Sequence, residues 1–321
     1  MSCNIPATFH NVQSLNDTFY ISSVEENLKS FLDFGFLNIG GFINVNIPTS
    51  GLYSNSFHVL KNTTDPGYTG NKVWQTPKKN WVWESGISYN GSSPKNISGV
   101  IVNGVGYPAP TGSGSVTYSL DYENGRVVFN SSLTTASSVQ MSYSYRWCNV
   151  LKSSDNNGWQ YLQQLSYQPS NSMNSNNKGD NAILANHRLQ MPAIVIETTA
   201  KNNDIPYELG SLLSYRQQDI LLHIYTENIN DLNNIMDIIR YQKEKTIQLY
   251  DIKKVVNSGV YGLNANGSKN SNALNYSQLI NNNTFHWNKM YIKDISFLDI
   301  QKNNTSNNFW CIIRLTSEII L

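Results

Sequence analysis

The clearest alternation of apolar and polar positions lies in residues 216–226. Ile220, Leu222 and Ile224 share one side, whereas Leu221, His223 and Tyr225 share the other. A period of two residues is typical of an extended chain with one apolar face. The sequence therefore predicts a β-strand from Arg216 to Thr226.

The period changes directly after this strand. Leu232, Ile235, Met236 and Ile239 recur at the spacing of a helix with one apolar face. Asn230 precedes them, and its side chain is suited to cap free N–H groups at a helix start. We therefore expect an amphipathic helix from Asp231 to Gln242, joined to the strand by a short turn.

Further elements flank this unit. Ser23 and Glu26 form a capping-box pattern before a helix predicted at 24–34. An apolar run predicts a buried strand at 191–198, and alternation predicts two long strands at 289–300 and 308–320. The Asn-rich stretch 303–307 between the last two indicates an antiparallel hairpin.

The pattern of apolar and polar residues changes from about Ser85 to Asn149. Its short alternating runs predict strands at 99–105, 115–122, 126–129 and 138–147. Asn124 and Gly125 are typical of a hairpin turn because both tolerate positive φ. We interpret residues 85–149 as an inserted, all-antiparallel β module. Residues 1–84 and 150–321 would then form a discontinuous α+β core, an antiparallel sheet with helices on one face.

Composition excludes several classes of protein. Lys and Arg total 23 against 22 Asp and Glu, so the net charge is +1 and gives no basic surplus for nucleic-acid binding. The three cysteines lack the spacing of a disulfide framework or a zinc site. Neither a signal peptide nor a long apolar run occurs, so we expect no membrane association.

No catalytic motif is visible, and we expect no enzyme, metal or cofactor. The five histidines are isolated from one another, and a structural hydrogen bond is the favoured role for His223. Asp219 and Glu227 would lie roughly 26 Å apart on one strand, too far to act as a catalytic pair. With Arg216, they are instead candidate contacts to a neighbouring subunit. Gly104 and Gly106 resemble part of a dinucleotide fingerprint, but no helical pattern follows, which favours turn glycines.

Three tryptophans, Trp74, Trp81 and Trp83, lie in a stretch without clear periodicity. Exposed indoles would stack on sugar rings, as in a carbohydrate-binding or adhesin module. The favoured interpretation is packing beneath a loop or at a subunit contact. A hydrolase is a third possibility, and it requires carboxylates to converge from distant segments.

The run RQQDILLHIYTENINDLNNIMDIIRYQ, preceded by Glu208-Leu209-Gly210 and followed by Leu249-Tyr250-Asp251, resembles tail-terminator and neck proteins of tailed bacteriophages, especially contractile-tailed ones. The closing FWCIIRLTSEIIL and the opening helix before LNIGGF are similar to the ends of such proteins. The resemblance covers about the first 45 residues and those from Met191 onward. The smallest tail-terminator proteins lack an insertion like this β module.

This resemblance implies a structural virion protein, assembled in the host cytoplasm, that forms a homo-oligomeric ring, usually a hexamer. Such a ring ends the tail tube at the head-tail junction, and its partners are the tube, sheath and neck or connector proteins. DNA would pass through its lumen without sequence-specific binding. Exposed edges of long strands would suit a subunit of this kind. Another neck or tail component is equally compatible with the resemblance.

Overall fold

The computed structural model describes residues 20–48, 56–63, 70–114, 116–155, 190–206, 214–303 and 308–320, with single residues 68, 158 and 162. This part of the chain is mostly β-structure with few helices. Its strands form a six-stranded sheet, an eight-stranded sheet and a two-stranded ribbon.

Four α-helices occur in the described residues: α1 (Tyr20–Asn38), α2 (Ile229–Arg240), α3 (Ile252–Asn257) and α4 (Tyr276–Ile280). The first strands are β1 (Phe42–Val45), β2 (Val59–Asn62), β3 (Val73–Gln75), β4 (Gly99–Val102), β5 (Val105–Pro108), β6 (Gly112–Ser113), β7 (Val116–Asp121) and β8 (Arg126–Phe129). The later strands are β9 (Val139–Met141), β10 (Tyr143–Arg146), β11 (Asn149–Lys152), β12 (Ala193–Pro206), β13 (Ser214–Thr226), β14 (Thr246–Tyr250), β15 (His286–Asn303) and β16 (Asn308–Ile320).

The six-stranded sheet, which we call the core sheet, has the order β11-β12-β13-β16-β15-β14. Its neighbouring strands are antiparallel except β11 and β12, which run parallel. The predicted strand at 216–226 is its central strand β13, and the predicted hairpin forms β15 and β16. The turn at 304–307 lies outside the described residues.

Both longer helices cover the same face of the core sheet. Ile220, Leu222 and Ile224 point towards them, as the alternation predicted, and are fully buried. The same apolar cluster contains Leu28 of α1 and Ile235 of α2. Burial of one apolar face per element explains why helices and sheet pack in two layers. The described core thus has helices on one face of its sheet, as predicted, but the parallel pair of β11 and β12 departs from the fully antiparallel sheet that the sequence suggested.

The eight-stranded sheet, which we call the β module, has the order β5-β4-β9-β2-β3-β8-β7-β6. Its two end strands, β5 and β6, follow one another in the chain, so the sheet curls back on itself into a barrel-like shape. A second apolar cluster fills it, including the fully buried Trp81 and Tyr143. Strands β2 and β3 belong to this sheet, so the predicted start of the module at residue 85 is too late.

One predicted strand and one predicted turn differ in detail from the structure. The segment predicted as one strand at 99–105 is divided by a turn in which Asn103 and Gly104 have φ of 50° and 83°. This tight hairpin, with Val102 paired to Val105, confirms the turn interpretation of Gly104. At the other predicted turn only Gly125 has positive φ, at 64°, and residues 122–125 form the loop between Asp121 and Arg126.

Two predicted helix caps are wrong. Helix α1 begins by Tyr20, so Ser23 lies inside it, where its carbonyl accepts a 2.8 Å hydrogen bond from Asn27. Helix α2 begins at Ile229 and is capped by Asn228, whose side chain accepts a hydrogen bond from the N–H of Asn230. Residues 152–180 are polar and low in complexity, which is typical of a surface connection, but most of them lie outside the described residues.

Candidate functional site: a charged cavity and two open sheet edges

A cavity of about 490 Å³ lies where helix α1, the end of strand β10 and the segment around Gly262 meet. Its wall combines aromatic rings with charged groups, among them Asp33, Glu84 and Arg146. A cavity of this volume is large enough for a small molecule. It is the first candidate for a functional site.

Arg146 is the centre of the charged groups on this wall. It is almost fully buried, and its Nε donates to both carboxylate oxygens of Asp33, at 2.7 and 2.9 Å. The same guanidinium donates to the backbone oxygen of Trp81 at 2.6 Å and to the carboxylate of Glu84. One cation therefore binds two carboxylates that come from a helix and a loop.

Sharing one guanidinium leaves one negative charge uncompensated in a buried place. The pKa of Glu84 shows this effect, because burial raises it to about 7. The nearby charge of Arg146 lowers this pKa, whereas the charge of Asp33 raises it further. Burial works against the charge of Arg146, but Asp33 and Glu84 together raise its pKa. Arg146 thus stays charged, and Glu84 is the group that takes up a proton.

A second ionic group borders the same cavity. The carboxylate of Glu26, on α1, forms a 2.8 Å salt bridge with Lys152 Nζ. It also accepts a 2.8 Å hydrogen bond from the hydroxyl of Tyr261. Although burial disfavours its charge, Lys29 and Lys152 lower the pKa of Glu26. Lys152 also contacts Asp155 at 3.4 Å, so helix α1, strand β11 and the segment around Tyr261 are linked by one network.

These contacts satisfy the charged groups among themselves. The buried side-chain atoms without a hydrogen-bond partner, within the described part of the chain, include none from Asp33, Glu84, Arg146 or Glu26. The main effect of the two networks is to tie helix α1 to the β module and to strand β11. Sequence reasoning missed this cluster, because Arg146 ends an alternating strand in which a charge would ordinarily face solvent.

Trp74, Trp81 and Trp83, the three neighbouring tryptophans considered as a stacking platform, do not form one. Trp74 and Trp81 are buried in the apolar cluster of the β module. The indole N–H of Trp81 donates to Thr76 at 3.1 Å and to the carbonyl of Lys78 at 3.1 Å. Trp83 is half-buried at the cavity wall, and a side chain at Gly262 would collide with its ring. The packing interpretation therefore fits Trp74 and Trp81.

The three candidate charged contacts lie apart. Arg216 binds Asp204 across the strand pair at 2.6 and 2.8 Å and lies over the ring of Tyr20. Asp219 accepts a 2.8 Å hydrogen bond from Thr316. Glu227 is exposed beyond the end of β13. His223, as expected, makes a hydrogen bond within the sheet, at 2.7 Å to Glu197.

The core sheet offers a second kind of candidate site, because its short outer strands pair with only part of each long inner strand in the described portion of the chain. Strand β11 pairs with β12 only from Ala193 to Ile196, and the N–H of Ser153 donates to the Ile196 oxygen as the last contact. From Glu197 to Pro206, no described residue pairs with the backbone of β12 on the side away from β13. We call this segment the β12 edge.

The opposite border of the sheet repeats this arrangement. Strand β14 and the residues before it pair with β15 as far as Ile292. From Lys293 to Asn303, no described residue pairs with β15 on the side away from β16. We call this segment the β15 edge. It carries Leu298, whose side chain is 52% exposed.

The register places these edges at opposite corners of the core sheet. The β12 edge lies level with the first half of β13, whereas the β15 edge lies level with its second half. Backbone groups along an open edge are ready to pair with another strand, as long as no side chain or bulge prevents it. As far as the described residues go, the sheet therefore has two stretches of backbone suited to pairing with a further strand.

Other classes of site have no support in the described residues. Among the residues that the structure describes, no group of three or more His, Cys, Asp or Glu side chains could hold a metal ion. Cys148 and Cys311 are buried, and neither forms a disulfide within the described part of the chain. None of the helices that the structure describes is both long and apolar enough to cross a membrane. The chain matches no protein-family model and no curated protein.

Proposed function

We propose that this chain is a structural virion protein of a tailed, contractile-tailed bacteriophage. In this role it forms a homo-oligomeric ring at the head-tail junction, ends the tail tube and joins it to the neck or connector. The proposal starts from the resemblance of residues 216–242 and of both chain ends to tail-terminator and neck proteins. The proposed role is structural and requires no catalytic residue and no cofactor.

One structural observation carries the proposal: two stretches at opposite corners of the core sheet have no strand partner on their outer side among the described residues. A subunit with two different adhesive edges joins copies head to tail, and such a contact closes into a ring when the rotation per subunit allows it. Open edges are a liability in a protein that remains alone. In a ring, each subunit pairs both of its edges with neighbouring subunits.

The β module supplies the remaining surface. Under this proposal it reaches towards sheath, neck or connector proteins, while the core sheet builds the ring. The near-zero net charge of +1 suits a ring through which DNA passes without being held. The buried ionic clusters around Arg146 and Glu26 then keep the module in a fixed position on the ring.

Two measurements test the proposal. Light scattering of the purified protein should give the mass of a closed oligomer, and negative-stain electron microscopy should show rings. The protein should also bind one end of tail tubes assembled from the tube protein of the same phage and stop their growth. A protein that is monomeric at all accessible concentrations and leaves tube growth unchanged would contradict the proposal.

A hydrolase is the second candidate, because the structure brings Asp33 and Glu84 together at a cavity wall. A carboxyl group with a pKa of about 7 close to a second carboxyl group is a pattern of glycoside hydrolases. The ring is favoured because Arg146 occupies both carboxylates. Release of reducing sugar from bacterial cell-wall polysaccharide, lost in Glu84→Gln at unchanged stability, would support the hydrolase instead.

A further inference from the structure

We infer that copies of this chain join head to tail by pairing the β12 edge of one copy with the β15 edge of the next. The inference rests on the proposed ring and specifies which strands make its subunit contact. The occupant of each edge is thus a second copy of the same chain, and the contact is the addition of one strand to another sheet.

The directions of the two strands fit this contact. Strand β12 is antiparallel to β13, β13 to β16, and β16 to β15. In one sheet β12 and β15 therefore run in opposite directions. Two copies in the same orientation, displaced along the strands because the edges lie at opposite corners, then bring the β12 edge of one against the β15 edge of the other as an antiparallel pair. This pair continues the pattern already present between the four central strands.

The two edges also match in extent. Each spans roughly 30 Å at the rise of an extended chain. Irregularities occur between Thr198 and Asn202 on β12, and between Ile292 and Asp294 and between Phe297 and Asp299 on β15. In the antiparallel pair, the regular stretch Asn202–Pro206 of one copy lies opposite the first half of the β15 edge of the next, and Asp299–Asn303 lies opposite the first half of the β12 edge. Each half of the pair therefore places a strand of regular register beside a strand with an irregularity.

The outer strands act as stops for this pairing. Strand β11 ends beside Ile196, and the segment before β14 ends beside Ile292. A neighbouring strand can slide along each edge only until it meets the end of the outer strand. The sheet thereby restricts the register, which an edge open along its whole length would not do.

Two-fold pairing is the main alternative, and it uses the edges less completely. A dimer through two β15 edges leaves both β12 edges open, and the reverse dimer leaves both β15 edges open. The head-to-tail contact uses both edges of every copy in a single kind of interface. It also covers Leu298, an exposed apolar side chain within the β15 edge.

Cross-linking tests the pairing directly. Asn203 is exposed on the β12 edge, and Leu298 is exposed on the β15 edge. We would introduce Asn203→Cys and Leu298→Cys, separately and together, with Cys3→Ser in all variants. Cys148 and Cys311 are buried and should not react. A short flexible bismaleimide then links thiols that lie across an interface.

The inference predicts a ladder of covalent multimers for the double variant. A mixture of the two single variants should give linked dimers, and either single variant alone should give none. Linked dimers from Leu298→Cys alone would show two-fold pairing and overturn the inference. Rings of the correct mass without 203–298 links would also overturn it, while the proposed ring would stand. Linked multimers that fail to bind tail tubes would sustain the pairing and contradict the phage function.

A charge at the contact gives a second measurement. Leu298→Lys should raise the concentration needed for assembly by about tenfold, because the interface then buries a charge. Val256→Lys is the matched control, since Val256 is 54% exposed on α3, away from both edges. Equal assembly of the two variants would count against the β15 edge as a contact.

Discussion

Arg146 donates from Nε to both carboxylate oxygens of Asp33, and this contact joins the end of strand β10 to the middle of helix α1. The two residues are 113 positions apart in the chain. Because β10 belongs to the ribbon beside the β module and α1 covers the core sheet, the contact fixes one unit against the other. The position of the β module therefore depends on a buried ion pair.

Arg146→Met should destabilise the protein strongly. The variant leaves the buried Glu84 and the half-buried Asp33 without a cation, and loss of one partner of a buried pair costs about 3–5 kcal/mol in comparable cases. The free energy of unfolding in urea measures the loss. Arg216→Met is the matched control, since the Arg216–Asp204 pair has side-chain exposures of 24% and 50% and should contribute less than about 1 kcal/mol. Equal losses in both variants would contradict the central role of Arg146.

Glu84 should make stability fall as the pH rises towards neutrality. Its pKa is about 7 in the folded chain against 4.5 for the unperturbed group, so between these values the folded chain holds a proton that the unfolded chain has released. The stabilisation is complete below pH 4.5 and is lost as pH rises through 7, by up to roughly 3 kcal/mol. Urea unfolding of the wild type and of Glu84→Gln between pH 5 and 8 measures it. Parallel pH profiles would show that Glu84 is ionised throughout.

Glu26 should act in the opposite direction and at lower pH. Burial opposes its charge, but Lys29 and Lys152 lower its pKa below 4.5. Its contribution is therefore present above pH 4.5 and is lost as the pH falls through the folded-state pKa. Glu26→Gln should lose stability already at pH 7 and unfold with a weaker dependence on acid. Glu123→Gln, at an exposed position on the same cavity, should behave like the wild type.

Much of the core could be predicted from the sequence, because burial on one face imposes a period that the residues display. The alternation around Leu222 gave the central strand and its buried face, and the spacing around Ile235 gave helix α2. The Arg146 cluster could not be found in this way. It joins side chains from 33, 84 and 146, and nothing local signals which buried carboxylates meet a buried guanidinium.

The limits of the β module were missed for a related reason. Strands β2 and β3 have only four and three residues, so they show too little alternation to be recognised. Their place is set by pairing with β9 and β8, which follow much later in the chain. The burial of Trp74 on β3 depends on the same distant pairing, and it decides against an exposed platform of three indoles.

Trp81→Ala should destabilise the protein by about 3–5 kcal/mol, because Trp81 is fully buried among the aromatic rings of the β module. Trp81→Phe keeps part of the packing but loses both indole hydrogen bonds and should cost less. Thermal unfolding measures both. Tyr241→Ala, at a position 85% exposed, should change stability by less than about 0.5 kcal/mol. A fully stable Trp81→Ala variant would be incompatible with this packing.

The cap of helix α2 separates two asparagines that the sequence alone does not distinguish. Asn228 accepts a 2.9 Å hydrogen bond from the N–H of Asn230 and has extended backbone angles, whereas Asn230 lies within the helix. Asn228→Ala should therefore cost about 1 kcal/mol in urea unfolding, because an N–H group at the helix start loses its acceptor. Asn230→Ala should be neutral or slightly stabilising, since alanine favours a helix more than asparagine does. The reverse order of stabilities would move the start of the helix to the position first predicted.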